Sequence, residues 1–385
     1  MIVVEILFWL ALFWLLYVFA LYPLLMAALA RLRPRPLRTS DGPLPRVAFV
    51  MAAYNEEKVI ATRIENYLEL DYPRELLEFY IGSDGSSDRT DEIIAGFIAR
   101  DPSIHLERFN RVGKTHIVYA LAARLDADIV VFTDADVVIN RDALRHVVRD
   151  FSDPEVGGVV GDIDFVDRRG TAGSAGERKF TRLESRLKAN EALVWTTISP
   201  TGLCFAVRPE AYTPLKNYKL SDDLNLAITI GLNGYRVWYE PRMVITELNS
   251  RTLGSETSRR LRMGQQSMAT YLAYEGTRRP WRSRVGFQIW SHKLLRNLAA
   301  VPATLVLLTS IALAWTAPVY AVVAALGGLW ALMVLAGMLC ERIGLDFPIL
   351  LYPLYFTSMV ASLTIGSIRA AFSGGLEMWS SPRLE

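Results

Sequence analysis

Residues 129–139 read IVVFTDADVVI, and the reading of this run decides the fold. Ile129, Val130, Val131 and Phe132 form a short apolar block of the kind that makes a strand buried on both faces. Such a strand has no solubility reason to end in two acids, yet Asp134 and Asp136 follow at once. Side chains alternate along an extended segment, so the two carboxylates share one side of it. Held that way they can bind one hard divalent cation through oxygen. A solvated turn with a helix cap explains the same triplet, and the triplet alone does not choose between the two.

Upstream, the same strand-then-polar-cluster pattern recurs. A short buried strand over 47–51 runs into Ala52, Ala53, Tyr54, Asn55, Glu56 and Glu57, with a helix following through Leu68. A second strand over 76–81 leads into Gly82-Ser-Asp-Gly-Ser-Ser-Asp88, and Ser87 or Asp88 is placed to cap a helix over 89–99. A third strand over 104–108 precedes Gly113-Lys114, which opens a helix to about Leu125. Alternation at this spacing predicts a Rossmann-like α/β domain with a mostly parallel sheet. Ligands of such sheets sit beyond the C-terminal strand ends, where all four polar clusters fall. The small residues around Asp84 let a ligand approach the backbone, and Asp84 supplies an acceptor for a base or ribose donor; a structural turn is the alternative. Lys114 is either a surface lysine at a helix start or a point charge facing a phosphate.

The chain has 385 residues, 51% of them hydrophobic, and a net charge of +2. That balance gives no electrostatic basis for nucleic acid, and no such partner is expected. Cys204 and Cys340 form neither a disulfide framework nor a zinc-ligand spacing, as in a reducing compartment. The apolar surplus lies at the two ends. Residues 1–30 exceed the roughly 20 that a helix needs to cross a bilayer, and Arg31, Arg33, Arg35 and Arg38 follow them. That order predicts a retained anchor with its C-terminal end in the cytosol. A proline-bearing linker (31–45) joins it to the α/β domain (46–250). Residues 251–290 alternate arginines with Leu, Met, Tyr and Trp281, as expected of an amphipathic segment on anionic headgroups. Three spanning helices are expected within 291–372, at 294–315, 317–340 and 347–371, before a tail at 373–385. Basic residues before the first of these place the α/β domain on the cytosolic face of a multi-pass inner (plasma) membrane protein. Arg369 and Arg383 also favour the cytosol, which requires one late segment to be re-entrant or interfacial.

Ala53-Tyr54-Asn55-Glu56-Glu57, Ser83-Asp84-Gly85-Ser86-Ser87-Asp88, Gly113-Lys114 and Asp134-Ala135-Asp136 occur in the order seen in family 2 glycosyltransferases. Thr201-Gly202 and Asp222-Asp223-Leu224-Asn225-Leu226 resemble that family's acceptor-side glycine and acidic motif, so the resemblance covers about 46–265. It implies a GT-A nucleotide-sugar domain that transfers a sugar with inversion. The donor is a nucleotide diphosphate sugar, a UDP-sugar in the first place, and the cation is Mg²⁺ or Mn²⁺. By the same resemblance Ala52, Tyr54 and Glu56 line the nucleoside pocket, and Asp84 bonds the base. Lys114 lies near the nucleotide, Asp134 approaches the ribose or the metal, and Asp136 binds the cation. Asp223 is the general base, with Asp222 in place of the family's usual Glu.

Two departures bear on the acceptor. Ser83 replaces an acid of the base-side motif. Arg259-Arg260-Leu261-Arg262-Met263 stands where processive members have Gln-x-x-Arg-Trp, keeping only Arg262. That variant, with Ser291-His292-Lys293-Leu294-Leu295-Arg296, resembles membrane enzymes that add sugar to a lipid-linked acceptor in exopolysaccharide assembly. Arg262 would add positive charge as the diphosphate departs. The expected activity is therefore a single sugar transfer to a lipid-linked or glycan acceptor. A processive synthase that exports its polymer and a non-catalytic membrane scaffold are the alternatives.

Overall fold

The computed structural model describes residues 1–164, 172–200, 202–215, 220–248, 253–345 and 347–373, with 172–180 and 253–256 described by backbone alone. Thr201 and the tail at 374–385 lie outside the described residues. The chain divides into two compact units. One is Leu29–Val166 with Ser185–Ser250; the other is Met1–Ala28 with Asp167–Glu184 and Arg251–Glu385.

The first unit is built on an eight-stranded sheet. Its strands are β1 (Val47–Ala53), β2 (Leu77–Ser83), β3 (Ile104–Arg108), β4 (Ile129–Thr133), β5 (Val137–Ile139), β6 (Val156–Asp164), β7 (Cys204–Val207) and β8 (Arg236–Glu247). Their order is β3-β2-β1-β4-β7-β6-β8-β5. β4 is buried along its whole length, as its β-branched apolar run requires. β1 pairs in parallel with both β2 and β4, and β2 with β3. β7 runs antiparallel to β4 and β6, so the sheet is mostly rather than wholly parallel. The register sets Ala53 beside Ser83 and Met51 beside Thr133, which brings three strand ends to one edge.

Beneath that edge Phe49, Tyr67 and Phe79 pack with ring centroids 4.8–6.0 Å apart. Arg63 lies fully buried among them, its guanidinium 5.5 Å from the Phe49 ring and 5.2 Å from the Phe79 ring. Burial lowers its pKa to about 10, the direction desolvation gives a cation. Nη2 donates to Thr133 Oγ1 at 3.5 Å, at the end of β4.

In the second unit, Ile2–Leu32 is long and apolar enough to cross a membrane, with a π-helical turn at Tyr17–Leu21. Its acid is satisfied: Tyr320 Oη donates to Glu5 Oε1 at 3.1 Å, and the Tyr320 ring meets Phe8 edge-on. Pro318–Arg342 and Pro348–Phe372 are also of crossing length. The helix expected over 294–315 differs. Its residues fall in two helices, Arg284–Asn297 and Ala300–Leu313, that meet at 57°. Pro302 explains the break, because it has no N–H for a bond to the carbonyl of residue 298 and its ring would clash there. The opened backbone is bridged by Thr364, whose Oγ1 donates to Asn297 O at 2.7 Å and accepts from Ala300 N at 3.3 Å. The basic stretch is likewise three helices rather than one, Leu253–Ala273, Glu275–Arg278 and Arg284–Gln288. The first packs tightly on Pro348–Ser373. A Cβ on Gly264 would stand 2.4 Å from Leu363 O, and one on Gly366 2.1 Å from Leu261 O.

Glu184 gathers the basic residues of 292–296. Its Oε1 accepts from His292 Nε2 at 2.9 Å and Arg296 Nη2 at 3.1 Å, and its Oε2 from Arg296 Nη1 at 2.8 Å. Lys293 Nζ is 3.4 Å away. Burial would raise this carboxyl, but Arg296, His292 and Lys293 outweigh it and hold it well below the usual range. Glu184→Gln therefore removes the negative charge that Arg296, His292 and Lys293 all face. The pair is only partly buried, with 14% of the Glu184 and 20% of the Arg296 side chain exposed, so its loss costs less than the roughly 3–5 kcal/mol of a fully buried pair, and the melting midpoint falls at neutral pH. A carboxylate held below its unfolded value, about 4.3 for Glu, stabilises fully above that value and loses its contribution as pH falls through the folded one. The gap between wild type and Glu184→Gln in a thermal melt then closes on acidification. A gap unchanged into strong acid would show that the charge is not what holds this junction.

Candidate active site

The loops after β1 and β2 are tied to each other. Asn55 takes a left-handed conformation, φ 52°, and its Oδ1 accepts from Ser87 N at 2.8 Å. Glu56 is buried, and its N–H donates to Thr90 Oγ1 at 2.8 Å. Asp88 accepts from Glu57 N at 3.1 Å and from Thr90 N at 3.0 Å, but the cap position of helix Thr90–Ile98 is Arg89, so neither Ser87 nor Asp88 caps it as expected. Ala52, Tyr54 and Glu56 thus stand at the edge made by the ends of β1 and β2, with Ala52 opposite Gly82.

Asp84 is buried with both oxygens turned to the next loop. Oδ1 accepts from Val112 N at 2.7 Å, Oδ2 from Gly113 N at 3.1 Å, and Arg111 Nη1 is 3.5 Å from Oδ2. These bonds hold a turn containing two left-handed residues, Arg111 at φ 51° and Gly113 at φ 91°. The helix Lys114–Ala122 starts from that turn, so Asp84 sets where Lys114 points. The Arg111 guanidinium lies 3.4 Å above the Tyr54 ring centroid.

Lys114 Nζ is 2.6 Å from Asp134 Oδ1 and 3.6 Å from Asp222 Oδ2. Asp222 and Asp223 open the helix Asp222–Leu232. Asp223 Oδ1 accepts from Ser221 Oγ and, at 2.8 Å, from Leu224 N. Oδ2 faces Gly202, which adopts φ 67° and where a Cβ would come within 2.8 Å. Lys114, Asp134, Gly202, Asp222 and Asp223 line one small cavity, together with Val118, Phe132, Phe205 and Leu226. Residues from four separate stretches, 114, 134, 202 and 222–223, therefore meet there.

The Lys114 ammonium faces the charges of Asp134, Asp222 and Asp223, while Asp136 acts on Asp134 and is not among the residues lining the cavity, and the imbalance shows in the titration. Burial lowers the Lys114 ammonium, but Asp134 and Asp222 outweigh it and its pKa is raised. Asp134 is raised by burial, eased by Lys114 and pushed further by Asp136. Asp223 is raised by burial and by Asp222. Surplus negative charge in a poorly solvated place is the common cause. The donor set is oxygen only, which suits a hard divalent cation. Among the described residues no three His, Cys, Asp or Glu side chains stand close enough to form a cage of their own.

Arg262 belongs to the helix Leu253–Ala273 of the other unit. The second acidic triplet, Asp162-Ile163-Asp164, ends β6, where Asp162 Oδ1 accepts from Ser185 Oγ at 2.5 Å. Sequence reading missed Arg63, Arg111 and Ser221. Arg63 had a signal, since it sits three residues after Ile60 on the apolar side of helix Ile60–Leu68. Arg111 and Ser221 had none, because their roles depend on partners brought in by the fold.

Residues 45–265 match the model of the family described as Glycosyltransferase like family 2. The chain is 26% identical over 226 residues to the poly-beta-1,6-N-acetyl-D-glucosamine synthase of Staphylococcus aureus (strain COL), covering 58% of this chain and 54% of that protein. The synthase of the same name from Staphylococcus epidermidis is 25% identical over 223 residues, covering 57% and 54%. The chain thus spans about half the length of the curated relatives it matches. Among solved structures, the mannosyltransferase PcManGT from Pyrobaculum calidifontis, in complex with GDP-Man and Mn2+, superposes with a TM-score of 0.70 at 23% identity. That likeness covers 96% of this chain and 100% of the other, and establishes the GT-A fold. The family match covers the same residues as the strand-end clusters, and the chain belongs to the glycosyltransferase like family 2.

Proposed function

We propose that this protein is a membrane-bound inverting glycosyltransferase. It moves a sugar from a nucleotide diphosphate sugar to a hydroxyl of a lipid-linked or glycan acceptor. The observation that carries this reading is the single cavity in which Lys114 and Asp134 meet Asp222 and Asp223.

Lys114 and Asp134 form the donor side. Asp84 and Arg111 fix the turn that aims Lys114, and the ammonium is placed to take up diphosphate charge. Asp136 is the main metal ligand and Asp134 the secondary one, because an Asp134 oxygen already pairs with Lys114 at 2.6 Å. A bound Mg²⁺ or Mn²⁺ supplies Lewis-acid stabilisation of the leaving diphosphate. Asp223 is the general base. Ser221 and Leu224 N–H hold its Oδ1, and Oδ2 takes the acceptor's proton. Its raised pKa strengthens it as a base. The acceptor oxygen bonds to the anomeric carbon as the bond to the diphosphate breaks on the opposite face, which inverts the centre.

Gly202→Ala tests the placement of this base. A Cβ there meets the Asp223 carboxylate and strains a left-handed residue. Misplacing a reacting group by about 1 Å costs on the order of 100-fold, so turnover falls by roughly that factor while the melting midpoint moves little. Unchanged turnover would remove Gly202 from the account.

Purified full-length protein with Mn²⁺ or Mg²⁺, a lipid extract and a donor panel tests the function itself. UDP-sugars come first, and GDP-mannose belongs in the panel. Release of nucleotide diphosphate with one donor, and one sugar added per acceptor, is the expected outcome. A second reading, a processive synthase, is favoured by the polymer in the names of the Staphylococcus relatives, and long products would select it. Failure of every donor would leave a scaffold.

A further inference from the structure

The turn at 278–284 displays an indole that nothing in its own fold requires to be outside. Trp281 is 80% exposed. The backbone that presents it is firmly held. Ser283 Oγ donates to Gly276 O at 2.7 Å and accepts from Gly286 N at 2.8 Å. Thr277 Oγ1 donates to Tyr274 O at 2.8 Å, and Trp290 Nε1 donates to Thr277 O at 2.8 Å. Thr277, Val285 and Gly286 are buried beneath the turn. A tryptophan exposed by a loose loop needs no explanation, but one displayed by a pinned turn does.

Four exposed arginines, Arg278, Arg279, Arg282 and Arg284, flank Trp281 in the same turn. Glu275 lies 3.2 Å from Arg279 and 3.9 Å from Arg282. Leu272 and Phe287 add exposed apolar surface on either side. The position in the chain chooses the partner. Arg284 begins the bent helix pair Arg284–Asn297 and Ala300–Leu313, which together are apolar enough to cross a membrane. A turn at the head of such a pair lies at the boundary between headgroups and water. Tryptophan prefers that layer, and arginine is attracted to its anionic phosphates.

We propose that the turn at 278–284 is a docking surface for anionic phospholipid, with Trp281 seated at the headgroup–acyl boundary and the four arginines on headgroup phosphates. The proposal rests on the membrane reading of the chain and not on the transfer reaction, so the test reads no activity.

The full chain, with Trp281→Cys carrying an environment-sensitive fluorophore and Cys340→Ser, is placed in nanodiscs of phosphatidylcholine with increasing phosphatidylglycerol. Emission is expected to shift blue, and brominated lipid to quench it, as phosphatidylglycerol rises. Arg278→Gln and Arg282→Gln each weaken the phosphatidylglycerol response by about fivefold, and added salt weakens it further. Lys at the same positions restores it, which separates loss of charge from misfolding. Inorganic phosphate leaves the emission unchanged. Water-like emission at every lipid composition would overturn the proposal. So would a response indifferent to phosphatidylglycerol and to the arginines, and so would shielding seen only in native membranes, which would indicate a protein partner.

Discussion

Asp223→Asn is expected to abolish transfer while leaving donor binding in place. The amide fits the space of the carboxylate, and its oxygen can still accept from Ser221 Oγ and Leu224 N. The group facing Gly202 then becomes an NH₂ that cannot take a proton. Loss of a positioned general base lowers turnover by roughly 10²–10⁴-fold. Donor affinity, measured by calorimetry with Mn²⁺ and the nucleotide diphosphate, stays near the wild-type value. The pH profile gives a second readout. Burial and Asp222 raise the Asp223 pKa, and the base works only when deprotonated. Activity of the wild type therefore falls on the acid side at a pH above the ordinary aspartate value of about 3.9, and the variant's residual activity lacks that limb. Turnover within a few-fold of wild type would move the base elsewhere.

Asp136→Asn is expected to fail one step earlier, at metal-dependent donor binding. Removing even an outer partner of a metal ligand costs about 10–100-fold in affinity, so loss of the main ligand costs no less. Titration of the nucleotide diphosphate with Mn²⁺ should show that loss, whereas titration in chelator should show wild type and variant alike. Equal Mn²⁺-dependent affinities would assign the cation to other groups. The contrast between the two aspartates is the informative result. One variant binds without turning over, and the other loses the Mn²⁺-dependent part of binding.

Much of this arrangement was legible in the sequence because it rests on local pattern. The run at 129–132 contains only β-branched and aromatic residues, and it forms a strand buried throughout. The acids after it, and the polar clusters after 53, 83 and 108, had to fall at strand ends once the sheet was parallel. What stayed hidden depends on partners far along the chain. Asp84 turns both oxygens to N–H groups some 28 residues later, so its orientation could not be read from Ser83-Asp84-Gly85. The pairing of Lys114 with Asp134 and Asp222 needs three loops at once. Pro302 was visible as a residue, but an apolar run around it reads as one helix until the break and the Thr364 bridge are seen together.

The close helix approach at Gly264 and Gly366 bears on biosynthesis. The arginine-bearing helix Leu253–Ala273 finds its seat on Pro348–Ser373, where each glycine lets the other's helix backbone approach. The seat does not exist until residues 274–373 have been translated. At about 5–20 residues per second, that is a delay on the order of ten seconds. During it the helix bearing Arg259, Arg260 and Arg262 has been made but not yet docked on that partner. Synthesis of Pro348–Ser373 therefore sets the earliest moment at which the arginine-bearing helix can take its seat.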